Sequence, residues 1–342
     1  MTSSVLPQPP SGIVAHGLAR SFGSVHAVRD VSLTAPAGSV TALVGPNGSG
    51  KTTLMLLLAT LLRPDRGSVS VAGVDAMADP GQARRLLGWM PDTLGVWDSL
   101  TCADILTSLG RLYGMGQAEA ATRAREQLAW VQLEPFADRP ARVLSRGQQQ
   151  RLSLARATVH RPAVLMLDEP ANGLDPTSRI RLRDDVRAMA AAGVAVLVSS
   201  HVLAELEEMA DRAVFVSEGA TVAVRDLSGA DDAGRERPYR IAGPDPSRRD
   251  ELVRALQARG VPLAAPLEGH RPGVVVRLRG EDAAAALLAD LVAAGVPVSR
   301  LAPEGSRLEN AYLDLALGGP APHAAGPVTA AGPAPTVEGG RA

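Results

Sequence analysis

One octapeptide constrains this chain more than anything else in it. Gly45-Pro46-Asn47-Gly48-Ser49-Gly50-Lys51-Thr52 lies between an apolar strand candidate, Val40–Val44, and an apolar helix opening at Thr53. It fits the pattern G-x-x-x-x-G-K-[ST] and has the strand before it and the helix after it that the pattern's chemistry requires. Glycines let backbone N–H groups turn inward around anionic phosphates, and the helix that follows presents its positive end to them. Lys51 adds a point charge, and Thr52 offers a hydroxyl to Mg²⁺. The plainer alternative is an ordinary glycine-rich turn. Against it stands a compositional fact: Lys51 is the only lysine among 35 Lys and Arg residues. A compact ammonium on a flexible stem fits among phosphate oxygens where a planar guanidinium fork does not.

A second group of residues completes such a site. The apolar run at 163–167 reads as a buried strand ending in Asp168-Glu169-Pro170, and 194–198 reads as its parallel neighbour, with a helix over 177–192 between them. Ligands gather at the C-terminal edge of parallel sheets. There Asp168 is placed to hold Mg²⁺ through water, and Glu169 to polarise the water that attacks a γ-phosphate. Alone, the pair reads equally as a solvated acidic turn; downstream of a phosphate loop the catalytic reading prevails. His201 follows Ser199-Ser200 at the same edge, within reach of the γ-phosphate and Glu169, although a lone histidine is more often structural. The segment Leu144-Ser145-Arg146-Gly147-Gln148-Gln149-Gln150-Arg151 leads into a helix running to about His160, with Ser145 as a natural N-cap. Taken by itself it is a helix start and nothing more.

At 342 residues the chain exceeds one domain of roughly 100–200 residues, so a full-sized domain with a smaller appendage is expected. The first domain begins near residue 11. Residues 13–19 alternate as an edge strand does, 28–34 and Val40–Val44 flank the turn at 35–38, and another strand covers 68–71. A helical insertion occupies about 90–160. Within it, residues 101–135 read as helical, with a capping box at Thr101 and Asp104 and a stripe of Ile105, Leu106, Leu109 and Leu112. The domain runs from 11 to 227, and a small, charged, glycine-rich linker spans 228–238. A small α+β domain at 239–318 carries strands at 239–243 and 274–279 and helices at 248–259 and 282–294, and the Gly-, Pro- and Ala-rich 319–342 is expected to be a disordered tail.

A net charge of −1 gives no electrostatic reason to bind nucleic acid, and a single cysteine, Cys102, excludes an internal disulfide and suits a reducing compartment. The N-terminus has neither the basic nor the apolar region of a secretory signal. The longest apolar run, 54–62, falls well short of the roughly 20 residues that cross a bilayer. A cytoplasmic location is expected, and any membrane work needs another polypeptide.

Taken in order, GPNGSGKTT, LSRGQQQRLSLARA, LMLDEP, ANGLDP and SSH resemble the ATPase subunits of ABC transporters in sequence and approximate spacing, over residues 11 to about 227. The resemblance implies an α/β P-loop NTPase fold of ABC type: a mixed sheet core with an antiparallel β part and a helical insertion, followed here by the small α+β domain. It implies ATP and Mg²⁺ as cofactors. Gly45, Pro46, Asn47, Gly48, Ser49, Gly50, Lys51, Thr52 and Thr53 would hold ATP, Thr52 and Asp168 the metal, and Glu169 and His201 would be catalytic. It further implies two domains facing head to tail, with Leu144, Ser145, Arg146, Gly147 and Gln148 of one closing over the ATP on the other's Lys51. Asp175 then lies in the loop communicating across that interface. Phe22 stacks on adenine, the plainer alternative being a buried core aromatic.

Two positions depart from the family pattern. Arg146 stands where glycine is commonest. In Trp89-Met90-Pro91-Asp92, the last residue replaces the usual glutamine or occasional glutamate. Asp92 is shorter and anionic, so it either ligates Mg²⁺ directly or reaches it through water. Near the C-terminus, Ser306-Arg307-Leu308-Glu309-Asn310-Ala311-Tyr312-Leu313-Asp314-Leu315 resembles the closing motif of daunorubicin-resistance exporter ATPases, the plainer reading being an amphipathic terminal helix.

The expectation is therefore an ATP-hydrolysing exporter subunit that works as a homodimer. It would sit at the cytoplasmic face of the membrane through a membrane-spanning permease, touching neither cargo nor nucleic acid. One rival is a soluble ABC ATPase acting on ribosomes or DNA, which calls for tandem halves, a coiled-coil insertion or a basic surface. Another is an importer ATPase with a regulatory C-terminal barrel, which calls for several closely spaced strands after residue 230, where two helical stretches stand instead.

Overall fold

The computed structural model describes residues 12–93, 95, 97, 99–227, 236–264 and 273–316. The chain opens with β1 (Ile13–Phe22), β2 (Val25–Ala35), β3 (Val40–Val44), α1 (Lys51–Leu58), β4 (Arg66–Val71), β5 (Val74–Asp75), α2 (Pro80–Leu86) and β6 (Leu87–Met90). The helical insertion follows as α3 (Cys102–Leu112), α4 (Gln117–Trp130) and α5 (Arg146–Thr158). The chain then returns to the sheet as β7 (Val164–Asp168), α6 (Pro176–Ala191), β8 (Ala195–Ser199), α7 (Leu203–Met209), β9 (Arg212–Ser217) and β10 (Ala220–Asp226). These strands form one sheet ordered β5-β4-β1-β2-β10-β9-β3-β8-β7-β6. Its β6, β7, β8, β3 and β9 portion is parallel, whereas β5, β4, β1 and β2 pair antiparallel.

Apart from Asp168 at the end of β7, β3, β7 and β8 are apolar or small, and all three are buried throughout because helices cover both faces of the parallel part. Successive side chains serve opposite cores. Leu43, Met166, Leu197 and Val214 pack with Leu54 and Leu58 of α1, while Val44, Leu165, Leu167 and Val198 pack with Leu182 and Val186 of α6 and Leu206 of α7. The insertion has its own core, built from Ile105, Leu106, Leu128 and Leu152. Helix α5 belongs to both bodies, since Leu152 and Ala155 face the insertion while Leu154 and Ala157 face the sheet.

Several local expectations need correction. β1 is not an edge strand: it pairs with β2 on one side and β4 on the other, and the two-residue β5 forms that edge. Alternation reports that a strand's faces differ in burial, not that a neighbour is missing. α1 opens at Lys51 rather than Thr53, because Gly50 at φ 96° ends the loop one residue before the lysine. The stretch at 101–135 divides at Gly114, and Leu112, placed in the apolar stripe, is 80% exposed. Thr101 caps α3 by accepting the Asp104 N–H at 3.1 Å, but its hydroxyl donates to the Asp104 carboxylate at 2.6 Å, so the acid bonds the cap side chain.

After residues 228–235, which lie outside the described set, come β11 (Glu236–Ala242), α8 (Arg249–Gln257), β12 (Leu263–Ala264), β13 (Val274–Arg279), α9 (Gly280–Ala293), β14 (Arg300–Pro303) and α10 (Arg307–Ala316). β11 starts three residues inside the stretch read as linker, and the expected disordered tail at 319–342 lies outside the described residues. The sheet order β12-β13-β11-β14 with antiparallel neighbours makes this unit a βαββαβ split sandwich. α10 joins it to the first domain. Leu308 is fully buried among Leu206, Met209 and Phe215, and the Asn310 amide donates to the Glu304 carbonyl at 2.9 Å. The closing segment is therefore a helix spanning two units.

One contact ties the insertion to the strand that leads to Asp92. Tyr113, at the end of α3, stacks on His160 with ring centroids 3.7 Å apart, and the His160 Nε2–H donates to the Leu87 carbonyl at 3.1 Å. Burial, aided by the nearby Arg123 charge and opposed by the Leu87 carbonyl, pushes His160 down from 6.5 to about 4. Above pH 6.5 neither the folded nor the unfolded chain protonates this group, so its full contribution is present. As pH falls from 6.5 towards 4, the unfolded chain binds a proton that the folded chain refuses, and stability is lost by up to about 3 kcal/mol. The thermal midpoint of the wild-type chain should therefore fall more between pH 7.5 and pH 4.5 than that of His160→Phe; parallel profiles would refute the assignment.

Candidate nucleotide-binding site

The phosphate loop runs from the end of β3 into the first turn of α1, and close packing dictates its glycines. A Cβ on Gly50 would stand 2.2 Å from the Ala27 carbonyl oxygen, and one on Gly45 would stand 2.2 Å from that of Val216. The hydroxyl of Ser49, a residue only 2% exposed, has no hydrogen-bond partner among the described residues. A backbone cradle with an orphaned buried hydroxyl fits a phosphate chain, which brings acceptor oxygens to such groups. The Lys51 Nζ donates to the carbonyls of Gly45 at 2.8 Å and Pro46 at 3.0 Å, so the ammonium lies folded over the loop. Burial lowers its pKa, while the charges of Glu169 and Asp168 push it back up.

Asp168 ends β7, where the register with β8 pairs it with Ser199, and Glu169 follows it. The Ser199 hydroxyl donates to Asp168 Oδ1 at 2.5 Å, and the Glu169 N–H donates to the Ser199 carbonyl at 3.1 Å. Burial raises the Asp168 carboxyl above its ordinary value; the negative charges of Asp92 and Glu169 add to this, against the Ser199 hydrogen bond and Lys51. A carboxylate whose ionised form is disfavoured by its surroundings is stabilised by an incoming cation. Asp168 with the exposed Thr52 therefore fits Mg²⁺, which takes one or two protein ligands and completes its shell with phosphate and water. His201, after β8, reaches Glu169 Oε2 at 2.8 Å through Nδ1. Glu169 itself adopts φ 51°, a conformation uncommon for a residue with a side chain.

The chain thus gathers Lys51, Asp168, Glu169 and His201 at one sheet edge, as the sequence predicts. Asp92 lies close enough to act on Asp168, yet its Oδ1 accepts from the Asn172 amide at 2.9 Å. Phe22 is 46% exposed, which removes the buried-core alternative, and the Arg20 guanidinium stands 5.0 Å from its ring centroid. The segment 144–148 forms the tip of α5, with Leu144 buried and Ser145 and Arg146 exposed. Ser145 accepts the Gln148 N–H at 3.3 Å, and Gln148 Oε1 accepts the Ser145 N–H at 2.8 Å, a full capping box. A Cβ on Gly147 would meet the Gly173 carbonyl oxygen at 3.4 Å and the Leu174 side chain at 3.7 Å, ordinary contact distances. Arg146 lies along Gly173: a Cβ there would stand 2.9 Å from the Arg146 Cδ, so the arginine occupies room the glycine leaves free. Asp175 caps α6, accepting from the Ser178 N–H at 3.0 Å and the Ser178 hydroxyl at 2.6 Å, which holds its carboxyl below the ordinary range. Sequence reasoning missed Ser199, Asn172 and Gln150 as parts of the site; each is identified by a contact across the fold rather than by a neighbour in the chain.

Residues 28–172 match the ABC transporter family. The daunorubicin/doxorubicin resistance ATP-binding protein of Streptomyces peucetius is 36% identical over 73% of this chain and 76% of its own length. The Nod factor export ATP-binding protein I of Burkholderia lata is 35% identical over 71% of this chain and 81% of its own. A probable multidrug ABC transporter ATP-binding protein of Escherichia coli is 36% identical over 90% of this chain, which spans about half (52%) of that longer protein. Among solved structures, an ATP-binding subunit of an ABC transporter superposes with a TM-score of 0.60 at 28% identity, covering 64% of this chain and 91% of that one. A dimeric ATP-binding cassette in a post-hydrolysis state with ADP and Pi gives 0.58 at 23% identity, over 63% of this chain and 98% of that one. With the nucleotide-site residues drawn together on this fold and these relatives beside it, the chain belongs to the ATP-binding subunits of ABC transporters and is an ATPase.

Proposed function

We propose that this subunit drives export through a separate membrane-spanning permease, two copies closing on two ATP molecules and reopening after hydrolysis. The observation that carries the reading is the hydrogen bond from His201 to Glu169 beside Asp168 and Lys51, a carboxylate oriented at the sheet edge where a γ-phosphate would lie. The export relatives named above support the direction of transport. No helix among the described residues is long and apolar enough to cross a membrane, which is why a permease partner is invoked.

In the proposed cycle the loop at 45–53 cradles the triphosphate, Lys51 swings from its carbonyl contacts onto the phosphate oxygens, and Phe22 takes the adenine. Thr52 and Asp168 hold Mg²⁺, which when bound neutralises charge developing on the phosphates. Glu169 accepts the proton of the water whose oxygen attacks the γ-phosphorus, and the bond to the bridging oxygen breaks to leave ADP and phosphate. His201 keeps the carboxylate aimed. The exposed tip of α5, with Leu144 to Gln148, covers the nucleotide of the second copy, Asp175 lies at that interface, and Asp92 borders the metal side.

The test is reconstitution. Purified chain should bind detergent-solubilised permease from the neighbouring reading frame, and in vesicles ATP should drive solute movement towards the side opposite the ATPase. Failure to associate, or ATP-driven movement in the other direction, would overturn the exporter reading.

A further inference from the structure

Gln150 lies on α5, is only 2% exposed, and has no place in the chemistry described so far. Its side-chain amide nitrogen donates to two backbone carbonyls, that of Glu169 at 3.1 Å and that of Pro170 at 3.0 Å. Those carbonyls belong to the tight turn carrying the proposed general base, in which the Asn172 N–H also donates to the Glu169 carbonyl at 3.2 Å. The same turn holds Glu169 at φ 51°, an uncommon backbone state that persists only where surroundings over-determine it. Ser199 fixes its N–H and Gln150 its C=O. A buried amide is costly unless its donors are matched, and an apolar residue would fill the same core space without that requirement.

The position on α5 matters as much as the bonds. Gln150 is five residues from Ser145, about 7.5 Å along a rigid helix. Near that tip, Arg146 packs on Gly173, so α5 grips the segment from Glu169 to Gly173 at both ends. We propose that Gln150 is a positioning residue for hydrolysis: it locks the backbone of Glu169 in its own chain and makes the tip of α5 and that carboxylate one rigid unit. The tip's contact with one ATP is thereby transmitted to the carboxylate at the other. The inference rests on the hydrolysis reading above.

Two variants of the full chain test it, Gln150→Leu, which removes both donors, and Gln150→Glu, which keeps the size but turns oxygens towards the carbonyls. Both should retain ATP affinity and KM within about twofold, while kcat falls by about 10- to 100-fold, the scale of a misplaced catalytic group. A residue that only stabilised the fold would move affinity and thermal midpoint together with turnover. Mixed dimers, purified through two different tags, separate the chains. Gln150→Leu and Glu169→Gln on one copy, opposite a wild-type copy, should leave one working site. The same two changes on opposite copies should impair both sites and lower turnover by the same factor of about 10 to 100. Equal turnover in the two arrangements, or Gln150→Leu and Gln150→Glu with unchanged kcat, overturns the inference. If Glu169→Gln itself hydrolyses ATP at the wild-type rate, it is the underlying assignment of the base that fails.

Discussion

Glu169→Gln is expected to bind ATP with wild-type affinity and to hydrolyse it at least about 100-fold more slowly, because a positioned general base contributes on the order of 10²- to 10⁴-fold. The substitution is nearly isosteric, and the backbone contacts that hold residue 169, to Ser199 and Gln150, do not involve its side chain. It removes the charge proposed to accept the water's proton and weakens the bond to His201 Nδ1. The groups proposed to hold Mg²⁺, Thr52 and Asp168, are untouched, although one negative charge beside Asp168 disappears. In the proposed cycle closure needs ATP and reopening needs hydrolysis, so the variant should accumulate as a closed dimer with ATP, seen by size-exclusion chromatography or light scattering. Wild-type turnover in the purified chain would rule out Glu169 as the base.

How far the sequence foretold this site depends on where each contact's partner sits. The phosphate loop and the Asp168-Glu169 pair were legible because each is contiguous and follows a short, mostly apolar strand, so motif and placement came together. His201 was legible as a position at the sheet edge, but its bond to Glu169 spans 32 residues and needed the β7–β8 register. Gln150 was invisible as a functional residue: inside a run of three glutamines, nothing local distinguishes the one whose amide meets carbonyls 19 and 20 residues away. Strands β12 and β14 were missed for another reason. They have two and four residues, too few for a period to register, and β14 ends in proline. Likewise an amphipathic reading of the closing segment says that it is a helix, but not that Leu308 enters the first domain beside Phe215.

Lys51→Ala should abolish measurable turnover and weaken ATP binding by about 10- to 100-fold, the equivalent of losing charge-assisted hydrogen bonds of roughly 1.5–3 kcal/mol. The reason lies in how the loop is arranged. Its carbonyls at Gly45 and Pro46 are the present acceptors of the Lys51 ammonium, so the side chain exchanges those bonds for phosphate oxygens rather than giving up solvent. Burial lowers its pKa while the charges of Glu169 and Asp168 push it back up, so the two carboxylates favour the charged form of the one lysine. Lys51→Arg should fail nearly as badly although the charge is kept, since a planar five-donor fork cannot sit where a point ammonium 2.8 Å from one carbonyl and 3.0 Å from the next does. That pair of variants separates charge from shape, and isothermal titration with ATP and Mg²⁺ reads both. Affinity within threefold of wild type in Lys51→Ala would contradict the role given to the chain's one lysine. Wild-type turnover in Lys51→Arg would show that charge alone suffices and that the absence of any second lysine is unconnected with the phosphates.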